Sequence, residues 1–247
     1  MKGQFFTLTY HKEDTIALIT LKSHTVTLGL LHEYHDALDK VLKKEGPMCL
    51  VTTSSHPKIF SAGLNFKVFD QHYMDVANFI SESCRLFGRL LALPIPSIAA
   101  INGHALAGGF MLIMSHDKRI CVSDKKCKFG MTEIDLGMTI PRGMLAPLKA
   151  KMKPDDLMKV CLTGMKFGPK EGKEMGVIHK LVPSKDLIEA CLEEAERLSV
   201  LGENRVAYEG IKFAMWEDQI KLAFSESYDK YAEDALTKVR AKMSGKL

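Results

Sequence analysis

The 247-residue sequence contains no run of about 18 apolar residues, so it predicts no membrane span. Its first residues, MKGQFFTLTYH, have neither the apolar core of a secretory signal nor the arginine-rich character of an organelle presequence. The net charge of +4 is spread thinly, because lysine pairs alternate with acids rather than forming a basic stripe. We therefore do not expect nucleic-acid binding.

Metal-ligand and disulfide patterns are also missing. No two of the six cysteines have CxxC spacing, and the nine histidines form no HExxH pair. These absences predict reduced, mostly buried thiols in an intracellular protein, and they give no reason to expect a bound metal.

The sequence does contain an alternation of short apolar runs and amphipathic helices. FFTLTYH and TIALITL predict a hairpin, and the runs MCLVTTS, SIAAING, KRICVS and CKFGM predict further strands. Helical periodicity separates several of these runs, whereas HPKIFSAGLNF is expected to be a loop. This order predicts an α/β fold with largely parallel strand pairing. After Pro141 the pattern becomes helical, ending in a long helix from about Asn204 to Met243.

A glycine turn lies at the centre of the chain, where Ala107-Gly108-Gly109 precedes the apolar run FMLIMSH. The first N–H groups of a helix lack internal partners, so a glycine there allows a ligand oxygen to reach the bare backbone. Glycines in this position can instead serve only close packing between a helix and a strand. The turn alone leaves both interpretations open.

A second small-residue turn, FSAGLN, follows an earlier apolar run. A sharp bend at Ala62-Gly63 would let the N–H of Leu64 face the same atom as the N–H of Gly108. Two converging donors are what an enolate or a tetrahedral oxyanion requires.

A third segment, KFGMTEIDLGMTIPRG, carries Glu133 among apolar neighbours. Apolar surroundings favour the neutral form of a carboxyl group and make it a better base near neutral pH. The alternative is a solvated loop acid or a helix-cap partner.

Together these segments resemble the crotonase superfamily, also called the enoyl-CoA hydratase/isomerase family. FSAGLN is similar to its F(S/A)AGxD turn, INGHALAGGFMLIMSHD to its (I/V)xGxAxGGGxxLxxxxD signature, and FGMTEIDLGMTIP to its FxxPExxLGxxP segment. LTGMKFGPKEGKEMGVIHKLVP is similar to a further helix and strand of the family.

The resemblance implies a fold, an assembly and a ligand. The fold is a crotonase-like spiral of ββα units over residues 1–190, followed by a helical trimerisation region over residues 191–247. The assembly is a homotrimer or hexamer. The ligand is an acyl-CoA thioester, with no separate cofactor because coenzyme A is part of the substrate.

The resemblance also implies roles for individual residues. The N–H groups of Leu64 and Gly108 would hold the thioester oxygen, and Glu133 would act as acid and base. The carbonyl of Ala62 would lie near the CoA adenine, and Lys212 would meet the CoA phosphates. Substrate-binding positions implied in the same way are Gly63, Asn65, Gly109 and Met111.

Met111 separates the subfamilies. Hydratases of this family carry one glutamate just after the glycines and a second in the later segment; here the first position is Met111 and only Glu133 remains. The pattern resembles Δ3,Δ2-enoyl-CoA isomerases, particularly the short peroxisomal type. The alternatives are another family reaction, hydration or thioester hydrolysis, and a non-catalytic acyl-CoA-binding protein.

Other residues leave the subfamily assignment weaker. Asn65 stands where the family usually has Asp, and Thr132 where many members have Pro. Asp117 is expected to be structural and Asp135 to point away from Glu133, while His104 and His116 are expected to be packed or capping residues.

The C-terminal residues bear on location. Gly245-Lys246-Leu247 is similar to the small-Lys-Leu form of a peroxisomal address, with Gly in place of the usual Ser. We expect a peroxisomal protein, with a cytoplasmic location as the alternative.

Overall fold

A computed structural model describes residues 2–65, 67, 73–225, 237 and 241. The predicted continuation of the last helix towards Met243, and the segment Gly245-Lys246-Leu247, lie outside the described residues.

The larger of two sheets has six strands in the order β1-β2-β3-β5-β7-β9. β1 and β2 form the predicted antiparallel hairpin, and every other neighbouring pair is parallel, as predicted. The strands are β1 (Phe6–His11), β2 (Ile16–Leu21), β3 (Cys49–Ser54), β5 (Ser97–Ile101), β7 (Lys118–Val122) and β9 (Lys180–Val182).

The smaller sheet has three short parallel strands, β4 (Ile59–Ser61), β6 (His104–Leu106) and β8 (Phe129–Gly130). β4 lies in the segment that we predicted to be a loop. Three residues are too few to show the period-2 pattern of a strand, so the sequence carried no signal for it.

Successive units of the chain repeat one path through both sheets. β3 continues into β4, β5 into β6, and β7 into β8, so each unit adds one strand to the large sheet and the next to the small sheet. A helix follows β4 and another follows β6. This arrangement confirms the predicted spiral of ββα units.

Eight helices surround the sheets in the described part of the chain. They are α1 (Leu28–Leu42), α2 (Tyr73–Leu91), α3 (Gly108–Ser115), α4 (Ala146–Lys151), α5 (Pro154–Leu162), α6 (Pro169–Glu174), α7 (Leu187–Ser199) and α8 (Arg205–Phe224). α1 illustrates how local sequence determines a helix. The Thr27 side chain caps it by accepting a hydrogen bond from the Leu30 N–H, and Leu31, Tyr34 and Leu38 lie on its buried face. None of the described helices is long and apolar enough to cross a bilayer.

The predicted domain boundary between residues 190 and 191 falls inside α7. This helix packs against β2, β3, β5 and β7 of the large sheet and buries Ala190 and Cys191. The structure therefore does not divide at residue 190, because both sides of that position share one core.

Candidate active site

The carboxyl ends of the three small-sheet strands deliver the predicted catalytic segments to one place. β4 leads into Leu64, β6 into Gly108 and β8 into Glu133. Because the strands are parallel neighbours, these ends meet at the same sheet edge. A cavity of about 30 Å³ lies there, lined by Ala62, Leu64, Ala107, Gly108, Thr132, Glu133, Leu136 and Met138.

The two glycine-containing turns touch each other. Gly63 has a φ of +88°, and a Cβ built on it would lie 2.8 Å from the Gly108 nitrogen and 3.0 Å from the Leu106 carbonyl oxygen. A Cβ on Gly108 would lie 3.4 Å from the Leu64 side chain. Gly63 is therefore needed both for its backbone conformation and for the close approach.

Two backbone donors border the cavity unpaired. Among the hydrogen bonds of the described residues, neither the Leu64 N–H nor the Gly108 N–H has an acceptor, whereas the Asn65 N–H donates to the Val26 carbonyl at 2.9 Å. Gly108 is also the first residue of α3, where the helix dipole favours negative charge. Buried N–H groups are normally paired, so these two are suited to donate hydrogen bonds to a ligand oxygen.

Ala107 is a site residue that our sequence reasoning did not identify. Its backbone has φ 51° and ψ −124°, a conformation that residues other than glycine rarely adopt. Such strain costs about 1–3 kcal/mol and persists where surrounding structure enforces it. Because the peptide after Ala107 carries the Gly108 N–H, this conformation sets the direction of that donor. The sequence did contain one indication of this strain. The family signature has three consecutive glycines, and Ala107 stands at the position of the first.

We expect Ala107→Gly to raise the free energy of unfolding by about 1 kcal/mol. The gain is the released backbone strain, less the entropy cost of a new glycine. Urea denaturation followed by circular dichroism measures it, with Ala105→Gly as the matched control. Ala105 is fully buried in β6 and has no positive φ, so its replacement should be destabilising. A loss of stability in both variants would contradict the strain at Ala107.

Glu133 is held at the cavity by its own loop. The Thr132 N–H donates to its Oε2 at 2.8 Å, and its carbonyl accepts the N–H groups of Leu136 and Met138 at 3.0 and 2.9 Å. Burial raises the pKa of the Glu133 carboxyl, with a smaller contribution from the nearby charge of Asp135, against the lowering effect of backbone hydrogen bonds. The carboxylate is thereby moved towards the range of a useful base.

Glu133 is the one titratable side chain among the described residues that line the cavity. Asp135 is exposed and forms an ion pair with Lys166, as expected for a residue that points away. Met111 is 1% exposed and belongs to the core, so the position of the second hydratase glutamate is filled by a buried methionine that does not line the cavity.

Two other predicted substrate-binding residues surround the cavity without lining it. A Cβ on Gly109 would collide with the Ser61 carbonyl, so Gly109 serves helix–strand packing rather than ligand access. The Asn65 side chain accepts the Lys67 N–H at 3.1 Å and stabilises the following turn. The glycine turn therefore serves both purposes that its sequence allowed. Gly108 gives a ligand access to the backbone at the cavity, and Gly109 allows close packing between helix and strand.

The structure does not bring Lys212 to the site. This side chain is 5% exposed, lies 2.8 Å from the Asp117 carboxylate and donates to the Leu93 carbonyl at 2.9 Å. Asp117 also accepts hydrogen bonds from Ser97 and Tyr208. The prediction that Lys212 meets the CoA phosphates conflicts with this burial, because the ammonium is already paired. Asp117 is structural, as predicted.

Neither predicted packing histidine lines the cavity. His116 is buried, with its ring nitrogens 2.9 Å from the Leu112 carbonyl and from the Thr52 hydroxyl. Burial lowers the pKa of His116 to about 4, so the ring is neutral. His104 begins β6 and therefore lies at the opposite end of the small sheet from Glu133.

Known proteins are similar to this chain in sequence and in fold. The sequence profile described as enoyl-CoA hydratase/isomerase matches residues 11–227. A fatty acid oxidation complex subunit alpha of Shewanella halifaxensis is 29% identical over 197 residues, which cover 77% of this chain and 28% of that one. This chain thus spans less than a third of that relative's length.

Solved structures show the same fold. An enoyl-CoA hydratase/isomerase family protein from Pseudomonas syringae superposes with a TM-score of 0.79 at 24% identity, over 93% of this chain and 96% of that one. Human mitochondrial delta3-delta2-enoyl-CoA isomerase superposes with a TM-score of 0.81 at 19% identity, over 98% of each chain.

Proposed function

The chain belongs to the enoyl-CoA hydratase/isomerase family, and from this we propose that it is a Δ3,Δ2-enoyl-CoA isomerase. Family membership supports an enzyme that acts on an enoyl-CoA thioester. The proposed reaction moves a double bond from a 3-enoyl-CoA to a trans-2-enoyl-CoA in the oxidation of unsaturated fatty acids.

The observation that carries the proposal is that Glu133 has the single carboxyl group among the cavity-lining residues that the structure describes. Hydration must deliver both a hydroxyl group and a proton to the substrate. The hydratases that this chain resembles use two glutamates for these two steps. Isomerisation needs one group that removes a proton and returns it to a different carbon. Glu133 alone can do this, and the buried Met111 leaves no second acid at the usual position.

The mechanism follows from the three segments. The thioester oxygen accepts hydrogen bonds from the Leu64 and Gly108 N–H groups, while the Glu133 carboxylate removes a proton from C2. The electron pair of that C–H bond forms a dienolate whose charge the two donors stabilise. Glu133 then protonates C4, the double bond settles between C2 and C3, and the carboxylate is regenerated.

The walls of the cavity support the same chemistry. Leu64, Leu136 and Met138 surround the carboxyl with apolar atoms. Their presence raises the proton affinity of Glu133 and excludes water that could add to the product.

The deciding experiment identifies products. The protein is incubated with cis- and trans-3-enoyl-CoA substrates of several chain lengths, and products are identified by NMR and mass spectrometry. We expect trans-2-enoyl-CoA without matching amounts of other products. Formation of 3-hydroxyacyl-CoA at a comparable rate would indicate a hydratase, and release of free CoA a thioesterase. Tight binding without turnover would indicate a non-catalytic acyl-CoA-binding protein.

Self-association as a homotrimer or hexamer is part of the proposal. α8 exposes Val206, Ile211 and Met215, with 88%, 61% and 61% of their surface accessible. Large apolar side chains exposed on one helix are typical of a surface that another chain covers, which supports an oligomer built through this region.

A further inference from the structure

A second cavity lies at the opposite end of the small sheet. It has a volume of about 510 Å³ and is lined by residues at the amino ends of the strands. Lys58 precedes β4, His104 begins β6, and Lys125, Lys126 and Cys127 precede β8. Because the strands are parallel, their amino ends meet just as their carboxyl ends meet at Glu133. The length of the strands separates the two cavities.

The second cavity is cationic. Lys58, Lys125 and Lys126 line it, and no carboxylate is among its lining residues in the described part of the chain. The neighbouring acid, Asp124, accepts hydrogen bonds from the N–H and the hydroxyl of Ser184 at 3.0 and 2.7 Å. Its two carboxylate oxygens therefore accept hydrogen bonds from Ser184, while the carboxylate itself does not line the cavity.

Lys125 is fixed in place. Its ammonium donates to the carbonyls of Pro57 at 3.1 Å and Asn102 at 3.5 Å, and its side chain is only partly exposed. The two carbonyls hold this partly buried ammonium next to the cavity. Such a charge interacts more strongly with an anion than a freely solvated lysine does.

His104 adds a directional donor. Its Nδ1 accepts the backbone N–H of Lys128 at 2.9 Å, so a neutral ring carries its proton on Nε2. The ring lines the cavity with its remaining nitrogen available as a hydrogen-bond donor.

We propose that this cavity binds a phosphate-bearing anion between Lys58, Lys125, Lys126 and His104. A phosphate dianion offers several acceptor oxygens and two negative charges, which match three ammonium groups better than a single carboxylate does. The volume lies in the range of small-molecule sites, so a phosphomonoester of a small organic molecule fits as well as free phosphate. This site is additional to the proposed isomerase centre.

Calorimetric titration tests the proposal at constant ionic strength, with inorganic phosphate and with AMP as an organic phosphomonoester. The matched pair of variants is Lys126→Gln and Lys128→Gln. Both remove one exposed lysine from the same short segment, but only Lys126 lines the cavity. We expect Lys126→Gln to weaken binding about tenfold or more, the effect of one lost charge-assisted hydrogen bond. Lys128→Gln should leave the affinity nearly unchanged.

The two probes distinguish the source of the phosphate group. Tighter binding of AMP than of inorganic phosphate would assign the site to a phosphorylated metabolite, and equal binding would assign it to phosphate itself. Equal affinities in the wild type and both variants would overturn the proposal. So would an absence of binding at millimolar concentration, or the same heat from chloride at equal ionic strength.

The titration does not depend on enoyl-CoA turnover, so this proposal and the isomerase proposal can fail separately.

Discussion

We expect Glu133→Gln to lower kcat for 3-enoyl-CoA isomerisation about 10²–10⁴-fold and to leave acyl-CoA binding nearly intact. The magnitude follows from the loss of the acid–base group that Glu133 supplies at the cavity, since such groups contribute about 10²–10⁴-fold. Glutamine keeps the size of the side chain and can still occupy the loop that Thr132 and Met138 hold in place. Stopped-flow or coupled assays give kcat, and calorimetry gives the dissociation constant of a substrate analogue.

The control variant is Asp135→Asn, because Asp135 is a carboxylate two residues away that is exposed and paired with Lys166. It should retain most activity. Full activity in Glu133→Gln, or an equal loss in both variants, would remove Glu133 from the mechanism.

The pH dependence of the wild type belongs to the same prediction. Burial raises the pKa of Glu133 above its ordinary 4.5. kcat/KM should therefore fall on the acid side with a midpoint above that value, because only the carboxylate can remove the C2 proton.

The raised pKa of Glu133 also determines how the free energy of unfolding depends on pH. A pKa raised in the folded state means that the folded chain binds this proton more tightly than the unfolded chain does. Stability from this group is present below 4.5 and is lost as pH rises through the folded pKa. At neutral pH the Glu133→Gln variant should therefore unfold at the same temperature as the wild type or higher. A lower melting temperature would show that the charged form is stabilised in the fold.

Gly63→Ala lowers kcat about 10²–10³-fold, the loss expected when one oxyanion donor is removed. The new methyl group would lie 2.8 Å from the Gly108 nitrogen, at a position with φ +88°. Either the methyl covers the Gly108 N–H or the two turns move apart, and in both cases the thioester oxygen loses a donor. Steady-state kinetics should show the loss mainly in kcat, because the donor acts most strongly on the charge of the transition state.

Gly46→Ala is the matched control. Gly46 has nearly the same backbone conformation, with φ +82°, but a Cβ there meets no atom within 4 Å. Both variants carry the cost of a side chain at positive φ, about 1 kcal/mol. Only Gly63→Ala should lose activity. Equal kinetics in the two variants would show that the contact between the turns does not position the Gly108 donor.

The sequence predicts much of this fold because the interactions that form these elements are local. The β1–β2 hairpin, the amphipathic α1 and the buried β3 each follow from a period or a turn within a few residues. The sequence also predicts the turns that carry Leu64, Gly108 and Glu133. Their local residue types, small residues in two turns and an acid among apolar neighbours in the third, indicate them.

Features that depend on contacts between distant segments could not be obtained in this way. β4 and β6 exist because each pairs with a neighbour far along the chain, and three residues carry no period of their own. Gly108 and Gly109 are adjacent and chemically identical; packing against Ser61 makes one structural and leaves the other at the cavity. The positive φ of Ala107 has the same origin, because only surrounding structure can hold an alanine there.

Lys212 shows the limit most clearly. An isolated lysine on a C-terminal helix is consistent with a phosphate ligand. No local pattern reveals that in the interior this lysine forms an ion pair with Asp117 and donates to the Leu93 carbonyl. Residue types and spacing therefore predict the chemistry that we propose for the chain, a carboxylate base beside two backbone donors. Long-range packing selects which of the candidate groups meet and which are buried, because burial and pairing depend on segments that the local sequence does not contain.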